Sequence, residues 1–281
     1  MVTRASPAVT ETAAAPSAAP PGASADPWAH LRCFTRARIA LGRSGASLPT
    51  TALLEFGLAH AQARDAVHTP LDLDALAVAA QAAGLPAPLR VHSAAANRAT
   101  YLRRPDLGRQ LDPVSHAQLA ALQADASDVV FVIADGLSAR AAQTHAVPLI
   151  ADTLNRLPSG WRIGPLVFAS QARVALGDAI GALLRAQQVV VCIGERPGLT
   201  APDSLGLYLT HDPRPGRTDA ERNCISNVRP EGLPYAQAAH KLAWLLAGAR
   251  RLGRSGVALK DDSEADPVLG RASAPFALPG P

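Results

Sequence analysis

Val189-Val190-Val191-Cys192-Ile193-Gly194-Glu195-Arg196-Pro197-Gly198-Leu199 runs from an unbroken apolar segment into a loop stiffened by glycine and proline. A continuous apolar run is the pattern of a strand buried on both faces, which predicts a parallel sheet. Glu195 then stands at the carboxyl end of its strand, the edge where open α/β sheets bind ligands. Three further runs have the same character: Val129-Val130-Phe131-Val132-Ile133, Leu166-Val167-Phe168 and Leu207-Tyr208-Leu209. Between them the spacing predicts a long helix after Ala134-Asp135-Gly136, interrupted by Pro148, and a second over Ala179 to Ala186. A last helix begins at Pro234, a favoured first-turn position, with Ala239, Leu242, Leu246 and Ala249 on one face. Strands alternating with helices predict an α/β fold: a Rossmann-like, mostly parallel sheet with helices on both faces.

The chain before this region reads differently. Pro49-Thr50-Thr51 predicts a helix start, with Leu54, Leu58 and Ala61 on its apolar face. Leu71 to Ala83 is a second helix, stopped by Gly84 and Pro86, and Leu89-Arg90-Val91-His92 is a short strand. Asn97 to Asp112 reads as loop, and a helix follows from Pro113. Four segments are expected: a disordered Ala/Pro-rich extension (1–27), a smaller, mainly helical region (28–124), the Rossmann-like domain (125–257) and a flexible tail (258–281).

Of the 281 residues 48% are hydrophobic but only 4% aromatic, so the core must be built mainly from Ala, Val and Leu. The net charge of +4 comes from scattered arginines with no basic block or interleaved aromatic platform, which argues against nucleic-acid binding. Three cysteines, Cys33, Cys192 and Cys224, have neither metal-ligand spacing nor the even number of a disulfide framework, which suits a reducing cytosol. No stretch approaches the ~20 apolar residues of a membrane span, and the first residues carry Glu11 and several prolines in place of an export signal's apolar run. The histidines show no ligand spacing, so no metal site is expected.

Several chemistries fall away on motif grounds. Neither Ala134-Asp135-Gly136-Leu137-Ser138 nor Gly194-Glu195-Arg196-Pro197-Gly198 supplies the Gly-x-Gly-x-x-Gly of a dinucleotide fold, and no P-loop is present. Ser44, in Gly42-Arg43-Ser44-Gly45, does not match a hydrolase nucleophile elbow. Cys224 alone is no nucleophile. The Asp-x-His-x-x-Gly string by which some proteins give cobalt a histidine is missing too, which leaves open cobalamin held with its own base.

Five strings occur in order: Gly42-Arg43-Ser44-Gly45; Thr100-Tyr101-Leu102-Arg103-Arg104-Pro105-Asp106-Leu107-Gly108-Arg109; Asp135-Gly136-Leu137-Ser138; Gly194-Glu195-Arg196-Pro197-Gly198-Leu199; and Cys224-Ile225-Ser226-Asn227. Together, over roughly Leu31 to Gly256, the chain resembles the small (light) subunit of ethanolamine ammonia-lyase. The resemblance implies adenosylcobalamin held between this chain and a large subunit built as a TIM barrel. It implies a hetero-oligomer, with six copies of each chain as the suggested stoichiometry, that converts ethanolamine to acetaldehyde and ammonia by radical chemistry. Substrate-handling residues would lie in the large chain, so no catalytic residue is assigned here and the chain alone is expected to be inactive. The contrasting reading is a non-catalytic Rossmann-like scaffold or assembly protein.

By resemblance, Val174, Glu195 and Cys224 match the family's cofactor contacts. Val174 would pack on the corrin, Glu195 would accept a hydrogen bond from a cofactor amide or hydroxyl, and Cys224 would supply a small apolar wall or backbone contact. Asp135, Gly136 and Ser138 are weaker candidates, Ser138 being a plausible helix cap. Arg103-Arg104-Pro105-Asp106 is expected at the interface with the large chain. Related subunits direct their enzyme into a bacterial microcompartment; residues 1–27 lack the amphipathic period of such an address, so the expected location is the cytoplasm, with the microcompartment as the open alternative.

Overall fold

The computed structural model describes residues 26–265. The chain separates into two compact units, residues 1–60 and 61–281. Within the first unit, a 3-10 turn at Ala29–Cys33 precedes the start of helix α1 (Thr50–His68), which continues into the second unit. The predicted apolar face of α1 is corrected: Leu54 and Leu58 are 68% and 61% exposed, whereas Ala52, Ala59 and Ala66 are buried. Alanines seven residues apart share a helix face.

The second unit carries the sheet. Helix α2 (Leu73–Ala82) is capped by Asp72, whose carboxylate accepts from the Asp74 and Ala75 amides. Strand β1 (Leu89–His92) follows, then helices α3 (Arg98–Arg103) and α4 (Pro113–Ala121), strand β2 (Ser127–Ala134) and helix α5 (Ala139–Arg156). Strand β3 (Val167–Ser170), helix α6 (Leu176–Leu183) and strands β4 (Ala186–Gly194), β5 (Leu205–His211) and β6 (Arg222–Val228) lead to helix α7 (Tyr235–Leu252). The α3 turn occupies part of the stretch expected to be loop. Asn97 caps it by accepting from the Thr100 amide, a local signal that outweighs Pro105 and Gly108 further on.

The six strands are ordered β1-β3-β2-β4-β5-β6. β1, β3, β2 and β4 are mutually parallel, and β5 and β6 extend the sheet antiparallel. The fold is thus α/β with a mixed, mostly parallel sheet. β1 forms one edge and β6 the other, so the sheet draws on residues well before the run at Val129.

Alternate side chains of each strand serve opposite faces. Val129, Phe131 and Ile133 of β2 join Val190 and Cys192 of β4 in a core closed by α2, α5 and α7. Val130, Val132, Val189 and Val191 face the other way, into a core closed by α4 and α6. This is why the central strands read as unbroken apolar runs. On the first face the cover continues over β5 and β6 through Leu207, Leu209 and Ile225. On the second face it stops: Cys224 and Ser226 are exposed and Tyr208 is only half-buried. The sheet therefore has one bare patch, on the α6 side of β5 and β6.

The expected extension 1–27 and tail 258–281 fall largely on residues 1–25 and 266–281, which lie outside the described residues, as does the segment weighed as a microcompartment address. Residues 256–265 form two short 3-10 turns, with Leu259 and Ser263 buried and Lys241 paired to Asp261 at 3.1 Å and to Glu264 at 3.0 Å. Among the described residues no helix is long and apolar enough to cross a membrane.

Candidate functional site

The bare patch is built by two clasped strings. Leu137 donates its amide to the Gly194 carbonyl at 2.9 Å, so the loop after β2 lies directly on the end of β4. Gly136 has φ +54° and, like Gly194, has no space for a side chain, since each faces the other's backbone or that of Ser138. Ser138 caps α5 by accepting from the Ala141 amide and donates its own hydroxyl to the Pro202 carbonyl at 2.8 Å. The cap reading of Ser138 therefore holds, and the contact ties the β4–β5 connection to the sheet.

Glu195 leaves this clasp pointing at β6. Its carboxylate accepts from the hydroxyls of Ser204 and Ser226 and from the Asn227 amide at 3.2 Å, while its own amide bonds the Ser204 carbonyl at 2.9 Å. Asn227 presents that amide by adopting φ +60°, a conformation asparagine tolerates. Three of the roughly four acceptor positions of a carboxylate are thereby used, and one is left over. The Ser226-Asn227 pair, whose purpose the sequence did not reveal, is the far end of this tie.

Val174 is held from the opposite side of the patch. Buried Asp135 accepts the amides of Gln171 at 2.8 Å and Ala172 at 3.0 Å and pairs with Arg98 at 3.5 Å. Burial pushes the Asp135 carboxyl up, and those amides and Arg98 work against it. Asp135 is thus the anchor of the β3–α6 loop, not a ligand on the patch. Tyr101, fully buried, donates to the Ala172 carbonyl at 3.0 Å. The guanidiniums of Arg173 and Arg98 lie 4.2 and 4.7 Å from its ring centroid, a cation–π arrangement. Burial pushes the Tyr101 hydroxyl up to about 12, with Arg173 pulling it down. Gly108 completes the grip: its carbonyl accepts the Arg173 amide at 2.8 Å, and a methyl group there would lie 2.9 Å from Arg173 Cγ and 3.1 Å from the Tyr101 ring. The Thr100–Arg109 string is therefore the mould for the loop that ends in Val174. Arg104 and Asp106, expected at a chain interface, form an exposed fork-like pair at 2.9 and 2.6 Å.

Val174 and Tyr208 line one cavity of about 540 Å³, with Arg109, Arg173, Arg217 and Arg222 around it. Cys224 lies directly across from Tyr208 in the β5–β6 ladder. The tyrosine hydroxyl interacts with the Cys224 thiol, and burial, the thiol and the nearby Glu195 carboxylate together push that hydroxyl up. Burial also raises the Cys224 thiol, which the Tyr208 contact lowers and Glu195 raises. Cys192, by contrast, is wholly buried and pushed up to about 12.

Glu195 and Cys224 thus lie beside Tyr208, and Val174 shares a cavity with it; the sequence reading passed this tyrosine over as part of a strand. Its signal was there: a tyrosine inside an apolar run has a polar tip that must leave the core or find a partner. Glu195 stands at the carboxyl end of β4, and the cavity extends from the loop beyond the carboxyl end of β3, at Arg173, Val174 and Ala175, to Tyr208 of β5 and Arg222 of β6, whose antiparallel course carries no crossover helix. Among the described residues there is no group of three His, Cys, Asp or Glu side chains able to hold a metal.

The family model for "Ethanolamine ammonia-lyase light chain (EutC)" matches residues 25–260. A protein of Azotobacter vinelandii named "Ethanolamine ammonia-lyase small subunit" is 54% identical over 257 residues, 90% of this chain and 95% of its own length. The protein of that name from Rhodococcus erythropolis is 53% identical over 244 residues, 86% and 93% of the two chains. One from Pseudomonas aeruginosa is 53% identical over 257 residues, 90% and 94%. With these matches covering the clasp, the mould and the bare patch alike, the chain belongs to the ethanolamine ammonia-lyase small-subunit family.

Proposed function

We propose that this chain works with a large subunit as an ethanolamine ammonia-lyase, and that its bare patch forms one wall of the adenosylcobalamin site. The observation that carries the reading is that Val174 and Tyr208 line one uncovered cavity, with Cys224 and Glu195 beside that tyrosine. The patch suits the group chemically. Corrin side chains are mostly amides, which need apolar walls with a few donors and acceptors. Val174 and Cys224 give thin apolar surface, Tyr208 a hydroxyl, and Glu195 its one remaining acceptor position. No residue lining the cavity is a histidine, so the lining would hold the cofactor through its amides and apolar surface and not through a bond to the metal.

When bound, adenosylcobalamin supplies the radical chemistry by which ethanolamine yields acetaldehyde and ammonia. The residues of this chain hold and orient it and cover one side against water. Val174 packs on the ring, Cys224 keeps the approach to Tyr208 open, and Glu195 orients an amide. The substrate pocket belongs to the large barrel subunit, and the suggested assembly has six copies of each chain. The cytoplasm is the proposed location.

Co-expression with the large subunit tests this. The purified complex is expected to retain cobalamin and release acetaldehyde from ethanolamine only with the cofactor present. A Cys224→Trp complex, filling the patch without touching the core, is expected to assemble while losing cobalamin affinity by tenfold or more, the order of loss for a blocked contact of ~1.4 kcal/mol. Unchanged affinity in that complex would remove the patch from the cofactor site.

A further inference from the structure

The arginines around the cavity are not equivalent. Arg222 donates to both oxygens of Asp178 at 2.6 and 2.7 Å, to the Thr210 hydroxyl at 2.8 Å and to the Arg217 carbonyl at 3.0 Å. Arg217 is divided between the Glu221 carboxylate and Asp212, whose carboxylate and carbonyl it reaches at 2.7 and 2.9 Å. Asp219, the carboxylate lining the cavity, lies 3.4 Å from Arg222 Nε. Arg173 and Arg109 have no carboxylate partner among the described residues, yet both line the cavity. Arg173 is held in place rather than waving in solvent: its backbone is bonded to Gly108 and its guanidinium rests on Tyr101. Its Nε is buried and makes no hydrogen bond. A buried donor without an acceptor is costly and calls for an occupant.

We propose that Arg109 and Arg173 form an anion subsite at this cavity, and that its occupant is the phosphodiester linking the corrin to its nucleotide base. This rests on the cobalamin reading above. The rest of a corrin's periphery is neutral amide, so the phosphodiester is the group that two uncompensated guanidiniums would select. Arginine forks match phosphate oxygens in geometry and charge. The same cavity is walled by Val174 and Tyr208, so its occupant must combine apolar bulk with one anionic edge. A free anion or a partner carboxylate would satisfy the arginines but leave that wall uncovered. The assignment also gives a purpose to the Thr100–Arg109 string, which positions Arg173 through Tyr101 and Gly108 and supplies Arg109 itself.

The test separates the phosphate from the rest of the cofactor. Dissociation constants of adenosylcobinamide and adenosylcobinamide phosphate for the two-subunit complex are measured by equilibrium dialysis, read by corrinoid absorbance and without any turnover. Wild type is expected to favour the phosphate form by about 10- to 100-fold, the usual strength of a hydrogen bond to a charged group. In Arg109→Gln and Arg173→Gln complexes that ratio is expected to fall towards one, with cobinamide affinity itself little changed. Arg109 is exposed and supports no packing, so its variant remains informative even where Arg173→Gln disturbs Tyr101. An unaltered ratio in both variants overturns the subsite while the cofactor reading stands. Loss of subunit assembly in place of the ratio assigns the arginines to a partner carboxylate and also overturns it. Displacement of cobinamide phosphate by an equal concentration of inorganic phosphate would assign the subsite to free phosphate. An assembled wild-type complex that retains neither corrinoid defeats the cofactor reading itself.

Discussion

At the scale of single residues, two cysteines of one sheet have opposite fates because side chains alternate between its faces. Cys192 points into the α5/α7 core and Cys224 onto the bare patch. Exposed though the residue is, desolvation by the surrounding patch and the Glu195 charge raise the Cys224 thiol above the ordinary value near 9, against the Tyr208 contact that lowers it. Alkylation of Cys224 by iodoacetamide, followed peptide by peptide with mass spectrometry, is therefore expected to be slow at neutral pH and to accelerate only above pH 9. Rapid modification at pH 7 would mean that the thiolate is stabilised there and that the wall is not apolar. Gly136 makes a second point at this scale. Its φ of +54° and its contact with Gly194 leave no room for a methyl group. Gly136→Ala is expected to destabilise the chain by more than about 1 kcal/mol in urea unfolding.

At the scale of elements, the cavity depends on how β6 and the segment before it are pinned. Asp178 on α6 and Arg222 at the start of β6 are each 2% exposed and joined by two hydrogen bonds. Removing one partner leaves the other charge buried, so Asp178→Asn is expected to cost about 3–5 kcal/mol in chemical denaturation. The segment between β5 and β6 is pinned by Glu221, whose carboxylate accepts from the Thr218 amide and hydroxyl and from Arg217. These contacts, the Thr218 amide first, hold its pKa at about 2 against an ordinary 4.5. A depressed carboxyl pKa stabilises the fold at pH values above the unfolded value, and that contribution is lost as pH falls through the folded one. The Arg217–Asp219 wall is accordingly expected to keep its shape to below pH 4, with a carboxyl carbon NMR titration of Glu221 centred near 2.

Elements were also where the sequence was most and least legible. The doubly buried strands at Val129 and Val189 announced themselves, because burial on both faces leaves only apolar residues. The hand of β5 did not: an apolar run reads the same in either direction. The clue lay in residues 195–204, which hold no helix, whereas a parallel return needs a crossover of a dozen or more residues. The α1 face was misread because Leu54 and Leu58 outrank alanine in hydropathy, whereas the buried side chains are Ala52, Ala59 and Ala66. The three cofactor positions came from resemblance alone. Nothing in their spacing reveals that Val174 and Cys224 approach one tyrosine, since that meeting depends on sheet order. The role of Asp135 was hidden for the same reason: its partners, Gln171 and Ala172, belong to a different strand's loop.

At the scale of the whole molecule, the patch is one-sided. Helices cover the other face of the central strands, but over Tyr208 and Cys224 no element among the described residues supplies a second wall. Ligand sites that bind tightly bury most of their ligand's surface. The isolated chain is therefore expected to bind cobalamin at least ~100-fold more weakly than the two-subunit complex, a difference of about 2.7 kcal/mol, as measured by equilibrium dialysis of each. Equal affinities would show that this chain encloses the cofactor unaided.

The Glu195 tie has a consequence for inheritance. Of the groups that donate to this carboxylate, the Ser204 hydroxyl is the buried one, so changing Glu195 alone strands that donor, while Ser226 and Asn227 can turn to water. Positions 195 and 204 are thus expected to evolve as one character, with 226 following more loosely. In an alignment of family members, Ser or Thr at 204 is expected to accompany an acid at 195 and to change with it in any lineage that abandons the acid, whereas 226 is expected to vary more freely.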